Sequence, residues 1–305
     1  MKNIFVKSTL MYTKPMMAKI YDPETAIDDN RFREIIPTAI LTAYPRTFSD
    51  IPYSQQIFDG LARQYKKIDE DLIVDRLAVE LEARSKLIDK LLTSTGATQV
   101  LELASGFSSR GLIFSQKPNT QYVELDLPDL TAVKQKVINN ILPIPNNLHI
   151  VGGNALRSND FKKASDYFDI NKQVVIVNEG LLRYLNFDEK AIVATNIRKI
   201  LEEFGGVWIS GDGATKNFRN SQNKNMPSLN TTLMSTTRRN NIGNAFESQE
   251  HFREFFDKLG FTLEFHSYTE VQDKLTSPIK LNVSNEDVSD KLLAYASAII
   301  FRLKT

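Results

Sequence analysis

The stretch VLELASGFSSRG, residues 100–111, runs an apolar segment into a Ser-Gly bend; YVELDLPDL, residues 122–130, then ends a second apolar run on an acid. A nucleotide held at the edge of a parallel sheet needs both features. A tight turn from strand to helix needs only the first. Small side chains at Ala104, Ser105 and Gly106 let backbone N–H groups approach a ligand closely. Asp126 follows Gly106 by twenty positions, matching the separation of about 20 that puts an acid at the end of the neighbouring strand in dinucleotide folds. A carboxylate there can accept hydrogen bonds from both ribose hydroxyls, and charged acceptors make the stronger bonds. The glycines do not follow GxGxxG: ASGFSSRG offers one before Gly111, so a pyrophosphate is poorly served. NAD and FAD are therefore disfavoured, and an adenosine without phosphates fits better.

Outward from this bend the chain alternates strand and helix. TQVLELA is a strand, SSRGLIFSQ begins a helix with a serine cap, QYVELDL is a second strand, and PDLTAVKQKVINNIL is a helix. NLHIVGG and the almost continuously apolar QVVIVNE follow as strands, the second reading as one covered on both faces. FDEKAIVATNIRKILEEF is an amphipathic helix closed by Gly205 and Gly206, and GVWISGD is a fifth strand. This repetition predicts an α/β protein with a doubly wound parallel sheet. Upstream, the prolines at 37, 45 and 52 divide residues 37–65 into short helices. Leu77, Leu81, Ile88, Leu91 and Leu92 mark one face of a long helix that Gly96 terminates. Downstream, 213–246 is polar, either disordered or an ordered flap over a ligand. SQEHFREFFDKLGF then restores a helix, with FTLEFHSYTE and ASAIIFRLK as the last strands. We expect one domain over 1–305, with 1–96 a helical cover and 97–305 the Rossmann-like core.

Composition narrows the function. The net charge of +1 offers no steering toward nucleic acid or an anionic membrane, and no apolar run approaches the roughly 20 residues of a membrane span. No signal peptide is expected. The absence of cysteine excludes disulfides and thiolate chemistry and suits the cytoplasm. His149, His251 and His266 have no metal-ligand spacing, so no metal is expected.

Other residues point to the same sheet edge. Arg84 precedes the first strand, where its guanidinium can clamp a carboxylate. Glu179 follows the fourth strand, and Asn154 and Ala155 follow the third. Taken singly, these read as a solvated helix charge, a helix-start acid and turn formers. Their convergence on one edge favours a ligand.

The segments EARSKLID, VLELASGFSSRG, YVELDLPDLTAVKQK, GGNALR and NEGLLRYL resemble, in this order and over roughly residues 37–212, the leucine carboxyl methyltransferase-like family, which includes polyketide-type O-methyltransferases. The resemblance implies a class I, Rossmann-like methyltransferase sheet, mostly parallel with an antiparallel C-terminal strand, and S-adenosylmethionine as cofactor, leaving S-adenosylhomocysteine. It implies that Arg84 binds the methionine carboxylate, Gly106 forms the bend, Asp126 binds ribose, Asn154 lies by the adenine and Glu179 lies by the cofactor. Ala104 stands where the family has the first glycine of its bend, which requires an ordinary backbone angle there. Ser108 stands where the family has Asp, and Asn154 where it often has Asp.

Methyl transfer to oxygen, a carboxylate or hydroxyl of a small molecule, is the activity implied. A carboxylate is ionised near neutral pH, with a usual pKa of about 4, and needs no general base, so no catalytic residue is assigned. Tyr44, Arg46 and Tyr53 read either as a cover over the acceptor, with one cation to meet an anionic substrate, or as a packed N-terminal segment whose tyrosines bury their rings, and Tyr184 is expected to face the cleft. Replacing Arg46 is expected to raise the acceptor's Michaelis constant and leave cofactor affinity alone. A protein carboxyl methyltransferase, and an adenosine-binding scaffold without catalysis, remain alternatives; a nicotinamide dehydrogenase ranks behind them.

Overall fold

The computed structural model describes residues 36–64, 74–213, 215–216, 244–293 and 296–304. Its centre is a seven-stranded sheet of β1 (Gln99–Leu103), β2 (Gln121–Asp126), β3 (Leu148–Gly152), β4 (Val174–Asn178), β5 (Gly206–Ser210), β6 (Phe261–Ser267) and β7 (Ser297–Leu303), ordered β3-β2-β1-β4-β5-β7-β6. The first five strands run parallel, and β7 enters antiparallel between β5 and β6. The parallel part is the doubly wound sheet that the strand-helix repetition predicts, and the reversed C-terminal strand is the one that the family resemblance implies. Chain order reverses between β1 and β4, which makes their carboxyl ends the switch point where ligands of such sheets bind.

The helices sort onto two faces because the strands alternate their side chains. In β1, Leu101 and Leu103 belong to the core cluster that includes α6 (Ser158–Ser165) and α7 (Phe187–Phe204), while Val100 belongs to the one that includes α3 (Val74–Ser94). Leu77, Leu81, Ile88, Leu91 and Leu92 of α3 are all buried, as their spacing predicts. Each such side chain contributes about 1.5–3 kcal/mol. A capping box between Asn186 and Glu189 starts α7, satisfying two backbone donors reciprocally. α6, with its polar run, was not foreseen from the sequence. Its Phe161 and Ala164 are the apolar positions that dock it.

Two short helices, α1 (Ile36–Arg46) and α2 (Ser54–Gln64), lie where the prolines predicted them. Pro45 sits inside the last turn of α1 and does not break it. Ala43, Ile57, Phe58 and Leu61 pack with Phe107 of the bend and with Leu130 and Val137 of α5 (Pro128–Asn139), so these helices cover the switch point. Within the 213–246 loop, residue 214 and residues 217–243 lie outside the described residues. Among the described residues, no helix is long and apolar enough to cross a membrane.

Candidate active site

Every proposed cofactor residue reaches one cavity at the switch point: Arg84, Ala104, Ser105, Gly106, Asp126, Asn154, Ala155 and Glu179 all line it. Arg46 and Tyr184 line it too. Tyr44 and Tyr53 do not. Tyr44 packs on the rings of Phe48 and Phe58, at 5.5 and 5.0 Å between centroids. Tyr53 directs its hydroxyl to Gln116, which donates to it at 2.7 Å. Both follow the packing alternative: tyrosine's apolar body is drawn against neighbouring side chains, and neither ring lines the cavity.

The bend after β1 is built by Asp126. Its two oxygens accept from the backbone N–H of Gly106 and of Leu127, each at 2.7 Å. A carboxylate carries about four lone-pair sites, so acceptor capacity remains on the cavity side. Burial pushes the Asp126 carboxyl up, and the two backbone donors oppose that. Ala104 departs from expectation. Its φ is +51°, in the left-handed region, so the alanine occupies a position suited to glycine. Its N–H donates to Leu125 O at 2.8 Å, which fixes the turn despite the strain. The serine cap of the next helix, α4 (Arg110–Phe114), is also not as expected: Ser109 makes no side-chain cap bond, while Ser108 Oγ accepts from Arg110 N at 3.2 Å.

Charge at the centre is organised by Glu179. Its Oε1 accepts from Arg84 Nε at 3.1 Å and from the Arg46 guanidinium, and its Oε2 accepts from Arg110 at 2.9 Å. Burial works to raise the Glu179 carboxyl, but the three guanidiniums overcome it and hold it well below the usual carboxylate range. Arg84, expected to face a ligand carboxylate, faces this protein carboxylate instead. Arg46, expected to meet an acceptor, shares the same oxygen.

Two contributors escaped the sequence reading. Arg110 is almost wholly buried and ties Asp89 and Glu102 to Glu179. Its signal lay in VLEL: a glutamate inside an apolar strand requires a buried cation. Asp212 is the second. Its carboxylate accepts from Asn178 Nδ2 at 2.7 Å and from the N–H groups of Gly180, Leu181 and Leu182 at 3.1, 2.8 and 2.8 Å. That cage sets the turn carrying Glu179, Arg183 and Tyr184. Asn154 is held likewise, its N–H donating to Asp160 at 2.9 Å and its Oδ1 accepting from Leu156 N at 3.0 Å.

The cavity can admit a group close to the backbone. A Cβ on Gly180, at φ +80°, would meet nothing within 4 Å, and one on Gly106, at φ +50°, would meet only Ala39 Cβ at 3.9 Å. The two bends thus leave a backbone-lined hollow beside Asp126 and Arg84, which fits an adenosine bearing an amino-acid tail.

A sheet of this order, with its reversed last strand and its cleft at the β1–β4 switch point, is a Rossmann-like fold with a ligand site at that edge. The chain belongs to the leucine carboxyl methyltransferase family, whose model matches residues 18–198. It is accordingly an S-adenosylmethionine-dependent methyltransferase. No curated protein matches the chain in sequence. Among solved structures, it is similar to a DUF574 family protein from Streptomyces avermitilis, at 14% identity and TM-score 0.56, over 88% of this chain and 97% of that one. It is also similar to magnesium protoporphyrin IX methyltransferase from Synechocystis with bound S-adenosylhomocysteine, at 12% identity and TM-score 0.47, over 81% and 94%.

Proposed function

We propose that the protein is an O-methyltransferase acting on a carboxylate of a small molecule, with the cofactor in the switch-point cavity. One observation carries this reading: the eight residues that sequence reasoning put at the cofactor line a single cavity. When bound, S-adenosylmethionine supplies a methyl carbon on a sulfonium; the acceptor oxygen's lone pair forms the O–C bond, and the electrons of the broken C–S bond pass to sulfur, leaving S-adenosylhomocysteine and a methyl ester.

The chain's own residues bind and orient. Arg84 holds the methionine carboxylate, Asp126 accepts the ribose hydroxyls, Asn154 and Ala155 lie along the adenine, and Gly106 with Ser105 admits the tail. Glu179 keeps Arg46, Arg84 and Arg110 aligned. An ionised acceptor needs no proton removed, so alignment and exclusion of water suffice. Tyr184 belongs to the acceptor side. The net charge of +1 gives no steering toward nucleic acid or an anionic membrane, and we read the chain as one domain, helical cover plus core, acting in the cytoplasm. The acceptor reading stands apart from a protein carboxyl substrate, the alternative that the family also contains.

Calorimetric titration with S-adenosylmethionine and S-adenosylhomocysteine, on wild type and Asp126→Ala, tests the cofactor placement. Micromolar binding that weakens about 10-fold or more is expected, since losing one partner of a charged hydrogen bond costs about 1.5–3 kcal/mol. Unchanged affinity in a variant with a native circular dichroism spectrum removes Asp126 from the site. Labelled methyl groups recovered in protein from extract fractions, and not in small molecules, would turn the acceptor reading to the protein substrate.

A further inference from the structure

Three arginines line the cavity, and they differ in what they face. Arg46 and Arg84 both pair with Glu179, Arg84 through its Nε, which leaves the rest of that guanidinium to the cofactor's carboxylate. Arg183 does not. Its Nε is buried without a hydrogen-bond partner, and among the described residues it faces no carboxylate; its guanidinium lies 5.8 Å from the Tyr184 ring centroid. Two of the acids that line the cavity are engaged elsewhere: Asp126 serves two backbone amides and Glu179 serves three other arginines.

Nor is Arg183 a loosely held surface charge. It sits in the 3-10 turn Leu182–Tyr184, between buried Leu182 and cavity-lining Tyr184. The Asp212 carboxylate gathers the preceding N–H groups and fixes that turn. A buried donor left unmade costs stability and calls for an explanation, and a group bound in the cavity that Arg183 lines is one. A guanidinium matches a carboxylate better than any neutral partner, and a site that demands a charged partner discriminates steeply against analogues lacking it.

Resting on the methyltransfer reading above, we propose that Arg183 is the acceptor-binding cation: it selects a small molecule that presents a carboxylate. A carboxylate has two oxygens. One accepts from the Arg183 guanidinium, and the other keeps its lone pair for the methyl carbon. Arg183 is then a specificity-determining residue, while cofactor affinity is left to Arg84 and Asp126.

The test uses full-length protein saturated with S-adenosylhomocysteine, whose binding is measured first. Benzoate and hexanoate are compared with benzamide and hexanamide as probes, by ligand-observed NMR, on wild type, Arg183→Gln and Arg183→Lys. Wild type is expected to prefer each acid over its amide by about 10-fold or more, the scale of a charged hydrogen bond. Arg183→Gln is expected to erase the preference and Arg183→Lys to restore part of it, with S-adenosylhomocysteine affinity changing less than about 2-fold throughout. Intact S-adenosylhomocysteine binding with no acid preference in wild type, no acid binding at all, or a preference that survives in Arg183→Gln, overturns the role of Arg183 alone. Failure of wild type to bind S-adenosylhomocysteine overturns the methyltransfer reading, and this inference with it.

Discussion

Arg84 and Glu179, 95 positions apart, meet at 3.1 Å across the switch point. The residue expected to clamp a ligand's carboxylate is engaged by a carboxylate of its own chain, with Arg46 and Arg110 completing the contact. Breaking a buried pair of this kind by removing one partner costs about 3–5 kcal/mol. Glu179→Gln should therefore lower unfolding stability by about 3 kcal/mol or more in urea titration; a loss below about 1 kcal/mol would mean that solvent already screens the cluster. The sign with pH follows from the depressed carboxyl. Its contribution is complete above the ordinary glutamate value of 4.5 and is lost as pH falls below it.

The shared oxygen also revises the expectation for Arg46. Without Arg46, Glu179 turns its full charge on Arg84, and a ligand carboxylate competes less well for that guanidinium. Arg46→Ala should thus weaken S-adenosylhomocysteine binding about 5-fold, close to 1 kcal/mol, and calorimetry reads this directly. Cofactor affinity equal to wild type would return Arg46 to the acceptor side alone.

Ala104, at φ +51°, holds a conformation that costs an L-residue about 1–2 kcal/mol. Glycine removes the strain and gives back part of the gain as greater freedom in the unfolded chain, about 0.4–1 kcal/mol. Ala104→Gly should raise the melting temperature by roughly 2 °C. A lower melting temperature would mean that the Ala104 methyl makes packing contacts worth more than the strain.

Gly111 belongs to no glycine fingerprint, and its position answers a packing need. A Cβ there would collide with Glu124 Oε1 and lie 2.9 Å from Leu148 Cδ1. Overpacking of this sort costs about 1–3 kcal/mol, so Gly111→Ala should destabilise the fold by that amount in chemical denaturation. An unchanged denaturation midpoint would show that the Glu124 side chain yields freely.

Glu124 carries a pH dependence of opposite sign. Burial pushes its carboxyl up, Lys134 at 2.6 Å opposes this, Glu102 adds to it, and the value reaches about 7. Between 4.5 and 7 the folded state keeps a proton that the unfolded chain has released. The stability is then full below 4.5 and is lost as pH rises through about 7. Melting temperature should fall between pH 5 and 8 in wild type and fall less in Glu124→Gln; parallel curves would exclude Glu124 as the source.

Much of this protein is local. The period of α3, the apolar runs of β1, β2 and β4, the bend at Gly106 and the acid at Asp126 each follow from neighbours in the chain. Side-chain alternation and helix period act over a few residues, so the sheet and the edge that bears the cavity were legible from VLELASGFSSRG outward. What only the tertiary structure decided is which charges meet. Arg84, Arg46 and Arg110 come from three separate segments, and only docking of α1 and α3 onto the sheet brings them to Glu179. Asp212 reaches the turn after β4 from the end of β5 by the same means. Backbone strain at Ala104 and the packing of Tyr44 and Tyr53 were likewise decided by distant partners. Hydrophobic period is written along the chain, whereas ion pairing depends on distance in space, and burial makes that distance decisive by removing the solvent that would otherwise screen it.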